Sequence, residues 1–197
     1  MLNEFVGFIG TILGGVGVYL TIKSLRKDKR LKTIDWNDIN SAVRFFWKKL
    51  HKEDFIPDFI ISPGQKGGII AQMLAEMYKE NIPVLTGFLE HANSPEIDTD
   101  DYLILKTSKW NVYLPGILKK YSNKQSCRVL IIDDFTMSGD FLQTIKRTLN
   151  DFGYRSTDVR SCTVAVTKVA LDAKKAPDYY WKVVEDRDFY FPWGKAE

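Results

Sequence analysis

One segment, residues 129–140, constrains the fold of this chain more than any other. It reads VLIIDDFTMSGD: four apolar residues, two aspartates, and a short turn that contains Ser138 and Gly139. A continuous apolar strand is typical of a parallel sheet that is covered on both faces. Open α/β sheets bind ligands at the carboxyl ends of such strands. The segment therefore predicts an α/β fold with a ligand site where this strand ends.

The chemistry of the same segment favours a phosphorylated sugar. The turn leads directly into a helix predicted over 141–153, so its main-chain N–H groups and the helix dipole can hold a phosphate. Asp133 and Asp134 suit a polyol such as ribose, whose adjacent hydroxyl groups donate to carboxylates. Because neighbouring residues of a strand point to opposite faces, both carboxylates can serve one ligand only if the strand has just ended.

The rest of residues 33–197 alternates strand and helix patterns. Apolar residues at steps of three and four predict a helix over 35–51, with Asp35 as its N-cap. Strands are predicted at 55–62, 82–90, 109–115, 127–135 and 159–170, with a final pair at 182–186 and 188–193. Further helices are predicted at 69–81, near 117–121 and at 141–153. This order predicts a mostly parallel, twisted sheet flanked by helices, and no linker divides it.

Residues 5–22 are eighteen consecutive residues without a charge. A helix of that length spans about 27 Å, close to the ~30 Å hydrocarbon core of a membrane. The basic run 23–32 follows, which is the reverse of a secretory signal peptide. We expect a single-pass membrane helix in contact with lipid, with the N-terminus outside and 33–197 in the cytoplasm. A buried helix of a larger soluble assembly is the alternative, and the GxxxG pair of Gly10 and Gly14 leaves a homodimer open.

The net charge is +3 and is unevenly placed. Residues 1–32, the anchor and its basic juxtamembrane segment, carry +4, whereas residues 33–197 carry −1. The body of the protein therefore gives no strong sign of nucleic-acid binding, which usually requires a basic domain. Two cysteines, Cys127 and Cys162, are too few for a disulfide framework and form no metal-ligand spacing.

Residues 129–139 resemble the motif with which type I phosphoribosyltransferases bind 5-phosphoribosyl 1-pyrophosphate (PRPP). That motif has four apolar residues, two acids, three variable residues, Thr or Ser, and Gly. The resemblance covers about 33–195. The segment PGQKGG at 63–68 looks like the pyrophosphate loop of the family, and the tail 176–194 is similar to that of the hypoxanthine and xanthine-guanine enzymes.

The resemblance implies the fold of that family, with a small hood that closes over the substrate, formed by 91–124 and the C-terminal tail. It implies transfer of the 5-phosphoribosyl group from PRPP to a nitrogenous base, with release of pyrophosphate. Mg²⁺ is implied as a cofactor that PRPP carries, with no direct protein ligand. The implied PRPP-binding residues are Lys66, Gly67, Asp133, Asp134, Thr136, Met137, Ser138, Gly139 and Asp140, and the implied base-binding residues are Lys168, Asp188 and Phe189.

Three positions depart from the family pattern. Met137 stands where purine enzymes carry an aspartate that acts as general base, and a thioether cannot accept a proton. Phe141 replaces a typical Thr, and Asp140 adds negative charge beside the phosphate. The purine-stacking aromatic aligns with Asp188, unless a shift of one residue brings in Phe189. Two hypotheses stay open: an enzyme that is weakened or uses a non-purine base, and a non-catalytic sensor or defence effector that binds PRPP or a nucleotide.

Overall fold

The computed structural model describes residues 32–95, 101–107, 109–122 and 126–196. Its helices are α1 (Trp36–Lys52), α2 (Gln65–Ala75), α3 (Ile117–Tyr121), α4 (Asp140–Asp151) and α5 (Lys168–Asp172). Its strands are β1 (Lys32–Thr33), β2 (Phe59–Ser62), β3 (Val84–Thr86), β4 (Phe88–His91), β5 (Tyr102–Lys106), β6 (Trp110–Pro115), β7 (Val129–Thr136), β8 (Val159–Thr167), β9 (Tyr179–Val184), β10 (Phe189–Phe191) and β11 (Gly194–Lys195).

The membrane helix predicted at residues 5–22 lies outside the described residues. Among the helices that the structure does describe, none has both the length and the apolar character needed to cross a bilayer.

The central sheet has five strands in the order β3-β2-β7-β8-β9, and every neighbouring pair is parallel. Strand β7 lies in the middle, and its residues 129–132 are fully buried. The sequence-based prediction of an α/β fold with a mostly parallel sheet flanked by helices is confirmed.

Alternate residues of β7 face two different apolar layers. Leu130 and Ile132 pack in one core cluster with residues of α1 and α2. Val129 and Ile131 pack in the other with residues of α4, β5 and β6. Since both faces are covered by apolar side chains, the strand can be apolar along its whole buried length.

Helix α1 begins where the sequence predicts it. Asp35 is the N-cap: its carboxylate accepts from the Asp38 N–H at 2.9 Å, and the Asp38 carboxylate accepts from the Asp35 N–H at 3.2 Å. Such reciprocal capping satisfies N–H groups that have no partner within the helix, and contributes about 1 kcal/mol.

The predicted strand 82–90 is divided into β3 and β4 at Gly87. A Cβ atom at Gly87 would lie 2.5 Å from the Tyr113 carbonyl oxygen, so only glycine permits this close crossing. Strand β4 then joins β6 and β5 in a separate antiparallel sheet, which we call the hood sheet. Strand β5 lies where the sequence predicts only irregular chain, and the hood sheet overlaps the range 91–124 predicted for the hood.

A third sheet joins the two ends of the described chain. Strand β1 runs parallel to β10, with Lys32 opposite Phe189, and β11 pairs antiparallel with β10. The Ile34 N–H extends the pairing by donating to the Tyr190 carbonyl at 2.8 Å. We call this the terminal sheet, and its β1 strand is not predicted from the sequence.

Two predicted boundaries are corrected. The helix predicted at 69–81 begins at Gln65 and ends at Ala75, so most of the segment 63–68 is helix rather than turn. The strand predicted at 159–170 ends at Thr167, whose hydroxyl accepts from the Ala170 N–H and thereby starts α5.

Candidate functional site

A pocket of about 820 Å³ lies at the carboxyl ends of β2 and β7. Its walls come from the turn before α2, from residues 133–142, and from the ends of the hood strands. Of the residues implied in PRPP binding, those that line the pocket are Lys66, Asp133, Asp134, Thr136, Met137, Ser138, Gly139 and Asp140. The structure therefore brings eight of the nine to one cavity, although they come from two separate parts of the chain.

Gly67, the ninth, lies directly behind the two aspartates. A Cβ atom there would meet the Ile132 carbonyl oxygen and the Ser62 hydroxyl at 2.6 Å, and the Asp133 Cα at 2.9 Å. The first turn of α2 therefore packs directly on β7 only because residue 67 has no side chain. This close approach places the neighbouring Lys66 at the same pocket as the carboxylates.

Asp133 and Asp134 form a pair of carboxylates, of which Asp133 is half-buried and Asp134 is buried. Both lie within β7, which continues to Thr136 rather than ending at the aspartates as expected from the sequence. Burial, and next the charge of Asp134, raise the pKa of Asp133 well above its ordinary value. Burial also raises the pKa of Asp134. The Asp134 main-chain N–H donates to Asp133 Oδ1 at 3.0 Å, and the Lys66 ammonium acts to lower both pKa values. A pair with this environment gains stability from hydroxyl donors or a cation supplied by a ligand.

Trp193 contacts the second aspartate from the C-terminal end of the chain. Its indole Nε1–H donates to Asp134 Oδ2 at 2.9 Å. The Trp193 ring stacks on Phe191 at 5.1 Å between centroids and meets the edge of Trp36 at 5.8 Å. Sequence reasoning missed this contact, because the two residues are 59 positions apart in the chain.

The turn between β7 and α4 has the features of an anion site. Helix α4 begins after Gly139, which has φ +81° and no side-chain cap. The Asp140 N–H donates only weakly to Ser138 Oγ, at 3.4 Å. Thr136 lines the pocket and is 4% exposed, and its hydroxyl has no hydrogen-bond partner within the described parts of the chain. Unpaired buried hydroxyls are costly, so this one indicates a place for a ligand acceptor.

Asp140 does not present an uncompensated charge to that anion site. Its carboxylate pairs with Lys175 Nζ at 2.5 Å, and both side chains are well exposed. The hydrogen bond from Lys175, followed by the one from Ser138, holds the pKa of Asp140 below its ordinary value. The expected repulsion beside the phosphate is therefore partly neutralised.

Met137 is 51% exposed and lines the pocket. Its main-chain carbonyl accepts a short hydrogen bond from the Thr167 hydroxyl at the end of β8. The position implied for a general base is thus held firmly by the fold, but it carries an apolar, polarisable side chain that can pack on a ligand ring.

The residues implied in base binding are not among the described walls of the pocket. Phe189 requires a correction, because it is 2% exposed and packs edge-on against Phe135 and Phe191 at 5.3 and 5.2 Å. The pairing of β10 with β1 places its ring in the core, so neither face is open for stacking. Asp188 is exposed and pairs with Lys195 at 3.1 Å, and Lys168 is the exposed first residue of α5.

The resemblance implies a hood over the substrate, but sequence reasoning did not identify the hood-sheet residues that line this pocket. They include Phe88 and Trp110, together with Lys106 and Lys109. The Trp110 ring stacks on His91 at 4.5 Å, and Lys109 Nζ lies 4.9 Å from the Trp110 centroid. Phe88 and Trp110 lie in predicted strands, but no local signal shows that they face the pocket, and strand β5, which carries Lys106, is not predicted.

No family model matches this sequence, and no curated protein matches it. Solved structures do match. A purine phosphoribosyltransferase from Pyrococcus horikoshii superimposes with a TM-score of 0.60 and 20% identity, over 83% of this chain and 94% of that one. The xanthine-guanine-hypoxanthine phosphoribosyltransferase of Helicobacter pylori gives 0.55 and 13%, over 82% and 90%.

A third match is a hypothetical protein from Neisseria gonorrhoeae with bound ppGpp, which gives a TM-score of 0.57 and 19% identity, over 83% of this chain and 89% of that one. Likeness at these identities shows the fold alone. The chain therefore has the type I phosphoribosyltransferase fold, as the motif resemblance implies.

Proposed function

We propose that this protein binds PRPP and transfers its 5-phosphoribosyl group to a nitrogenous base, releasing pyrophosphate. The observation that carries the proposal is the unpartnered Thr136 hydroxyl, which lies at the same pocket as the open N-terminus of α4 and the paired carboxylates. A phosphate, whose oxygens accept hydrogen bonds, and a ribose, whose hydroxyls can donate them, together match these features.

Each part of PRPP has a counterpart in the pocket. The 5-phosphate would accept from the hydroxyls of Thr136 and Ser138 and from main-chain N–H groups at the start of α4. Asp133 and Asp134 would accept from the ribose hydroxyls, and Lys66 would attract the pyrophosphate. The type I fold shared with the solved enzymes supports this arrangement.

The residues of the site fit a Mg²⁺ ion that arrives with PRPP. Among the described residues no group of three or more His, Cys, Asp or Glu side chains could hold a metal by themselves. Mg²⁺ would be carried by oxygens of PRPP, which are the hard ligands that it prefers, and the negative charge of Asp133 and Asp134 at the same pocket would favour the ion without a direct bond to it. When bound, Mg²⁺ supplies positive charge that neutralises the departing pyrophosphate.

The reaction that we propose forms a C–N bond and breaks a C–O bond at the anomeric carbon of ribose. The base nitrogen attacks as the pyrophosphate leaves with the bonding electrons, and the proton of that nitrogen passes to solvent or to pyrophosphate. Met137 cannot accept this proton. The protein would therefore act mainly by orienting PRPP and by stabilising the charge of the leaving group.

A second candidate function is a non-catalytic sensor that binds PRPP or a nucleotide. The exposed Met137 at the position of the usual base favours it, because binding requires no proton acceptor. The ppGpp-bound Neisseria protein shares the fold, which supports a nucleotide ligand for this chain as well.

We also propose that residues 5–22 form a single-pass membrane anchor that holds the domain at the cytoplasmic face of a membrane. This part rests on the sequence of those residues, which lie outside the described parts of the chain.

Pyrophosphate release from PRPP by the full chain, measured with Mg²⁺ across purine and pyrimidine bases, separates the two functions. The enzyme releases pyrophosphate with at least one base, whereas the sensor binds PRPP or a nucleotide in calorimetry and releases none. A protein that does neither contradicts the proposal.

Thr136→Val and Thr136→Ser test the observation that carries the proposal. Val keeps the branched shape but removes the hydroxyl, and should weaken PRPP affinity about tenfold without lowering the melting temperature. Ser keeps the hydroxyl and should bind nearly as well as the natural chain. Equal affinities for Val and Ser would show that Thr136 does not contact the ligand.

A further inference from the structure

The C-terminal end of the chain contacts both charged groups of the proposed site. Trp193 donates to Asp134 Oδ2 at 2.9 Å, and the Lys195 carbonyl, two residues later, accepts from Lys66 Nζ at 3.5 Å. Both contacts come from the stretch 193–195, which consists of Trp193 and the two residues of β11. This stretch therefore contacts the group that we assign to the ribose and the group that we assign to the pyrophosphate.

The Trp193 ring is itself held rigidly. It stacks on Phe191 with an interplanar angle of 8° and meets Trp36 edge-on at 68°. Residues on either side are tied to the terminal sheet: Phe191 pairs with Gly194, and the Ala196 N–H donates to the Phe189 carbonyl at 3.1 Å. A donor on so fixed a ring fixes the direction of the bond that it makes.

We infer that Trp193 is a positioning residue for the ligand site: its indole N–H fixes one oxygen of Asp134 and so orients the carboxylate that meets the ligand. This inference rests on the proposed function for the identity of the ligand. The contact between Trp193 and Asp134 themselves does not depend on it.

The electrostatics of the pair agree with this role. Asp134 is 8% exposed, and among the interactions that lower its pKa against burial, the hydrogen bond from Trp193 is the largest. Trp193 therefore makes the most strongly stabilising contact to the charged form of Asp134, in addition to fixing its orientation.

Trp193→Phe is the direct test, because Phe keeps an aromatic ring but removes the N–H. Trp47→Phe is the matched control. The Trp47 ring stacks on His51 at 4.5 Å, while its indole nitrogen is buried without a hydrogen-bond partner in the part of the chain that the structure describes. Both variants lose the same atoms, and only one loses a bond to Asp134.

The first measurement is the titration of the Asp134 carboxyl carbon by NMR in the ligand-free full chain, with Asp134→Asn to assign the resonance. We expect the midpoint to rise by about one pH unit or more in Trp193→Phe, because a hydrogen bond to a charged group is lost. In Trp47→Phe the midpoint should not move. An unchanged midpoint in Trp193→Phe overturns the inference.

The second measurement is the affinity for PRPP with Mg²⁺. Trp193→Phe should bind about tenfold more weakly, because the Asp134 carboxylate is no longer held in one orientation, whereas Trp47→Phe should bind like the natural chain. Trp193→His keeps an N–H donor and should recover most of the affinity. An unchanged affinity in Trp193→Phe, or equal losses in the Phe and His variants, overturns the inference.

Failure of the proposed function is distinguishable from failure of the inference. If the natural chain does not bind PRPP, the proposed function fails, and the NMR titration alone decides whether Trp193 controls Asp134. If Trp193→Phe does not fold, Trp193→His decides, because it keeps an N–H donor on a smaller ring. A titration midpoint near that of the natural chain then supports the inference, and a raised midpoint overturns it.

Discussion

The main-chain carbonyl of Lys175 lies against Gly139, closer than a Cβ atom at that position would permit. The side chain of the same lysine pairs with Asp140 at 2.5 Å. Lys175, which follows α5, therefore contacts the turn at the start of α4 in two ways: its backbone packs against Gly139, and its side chain pairs with Asp140. The turn can approach this segment only because residue 139 is a glycine.

Gly139→Ala should therefore destabilise the protein by about 2 kcal/mol or more, because the new methyl group meets backbone and the positive φ is strained. Gly153→Ala is the control: Gly153 also has positive φ, at 102°, but its nearest neighbour to a Cβ is the Ser122 carbonyl at an ordinary 3.7 Å. It should cost about 1 kcal/mol. Denaturant unfolding measures both, and equal losses would contradict the packing of Lys175 against the turn.

Replacement of both carboxylates by Asp133→Asn with Asp134→Asn should abolish PRPP binding. Loss of two charge-assisted hydrogen bonds should cost about 3 kcal/mol or more, which is over a hundredfold in affinity. Calorimetry with Mg²⁺ present measures the effect. Unchanged affinity would remove this strand end from the ligand site.

The same double variant should be at least as stable as the natural chain at neutral pH. Both pKa values are raised in the folded state above 3.8, so the folded protein holds more protons than the unfolded one, and the free energy of unfolding falls as the pH rises above 3.8. The asparagine variant lacks this decline. Between pH 4 and pH 8, the free energy of unfolding measured with denaturant should fall less in the variant than in the natural chain. An equal fall in both proteins would contradict the raised pKa values of Asp133 and Asp134.

Met137→Asp distinguishes three kinds of protein. In a purine enzyme that has lost its base, the new carboxylate should raise turnover, because general bases contribute about 10²–10⁴-fold. In an enzyme for a different base it should have no effect or reduce activity, because it adds a charge beside phosphates. In a sensor, neither protein releases pyrophosphate and only ligand affinity falls. We expect the second result; a rise in turnover would identify a weakened purine enzyme.

The anchor proposed at residues 5–22 predicts how the full chain leaves a membrane. High salt should not release it, because salt screens surface charge but does not affect apolar burial, whereas detergent should. A basic segment that holds the protein only by charge gives the opposite result, so release by salt alone counts against insertion.

The parts of the structure that follow from nearby residues were predictable. The strand β7, the turn after it and helix α4 are consecutive, so one segment carries the apolar run, the acids and the glycine. The central sheet follows from the alternation of such units. The N-cap at Asp35 is equally local.

The parts that depend on distant contacts were not predictable in the same way. Trp193 and Asp134 are 59 residues apart, and no periodicity links them. Phe189 looks available for stacking in the sequence, and only its pairing with Lys32 in the terminal sheet places it in the core. The pocket wall at Lys106 likewise depends on β5, a strand that the local pattern does not indicate.

The parallel pairing of β1 with β10 has a mechanical consequence. Tension applied along β1 from its N-terminal side would load the hydrogen bonds between β1 and β10 together in shear. Strand β10 also pairs with β11, beside which Trp193 meets Asp134. Such a pull would thus load the strands next to the pocket together with helix α1, whose Trp36 contacts Trp193.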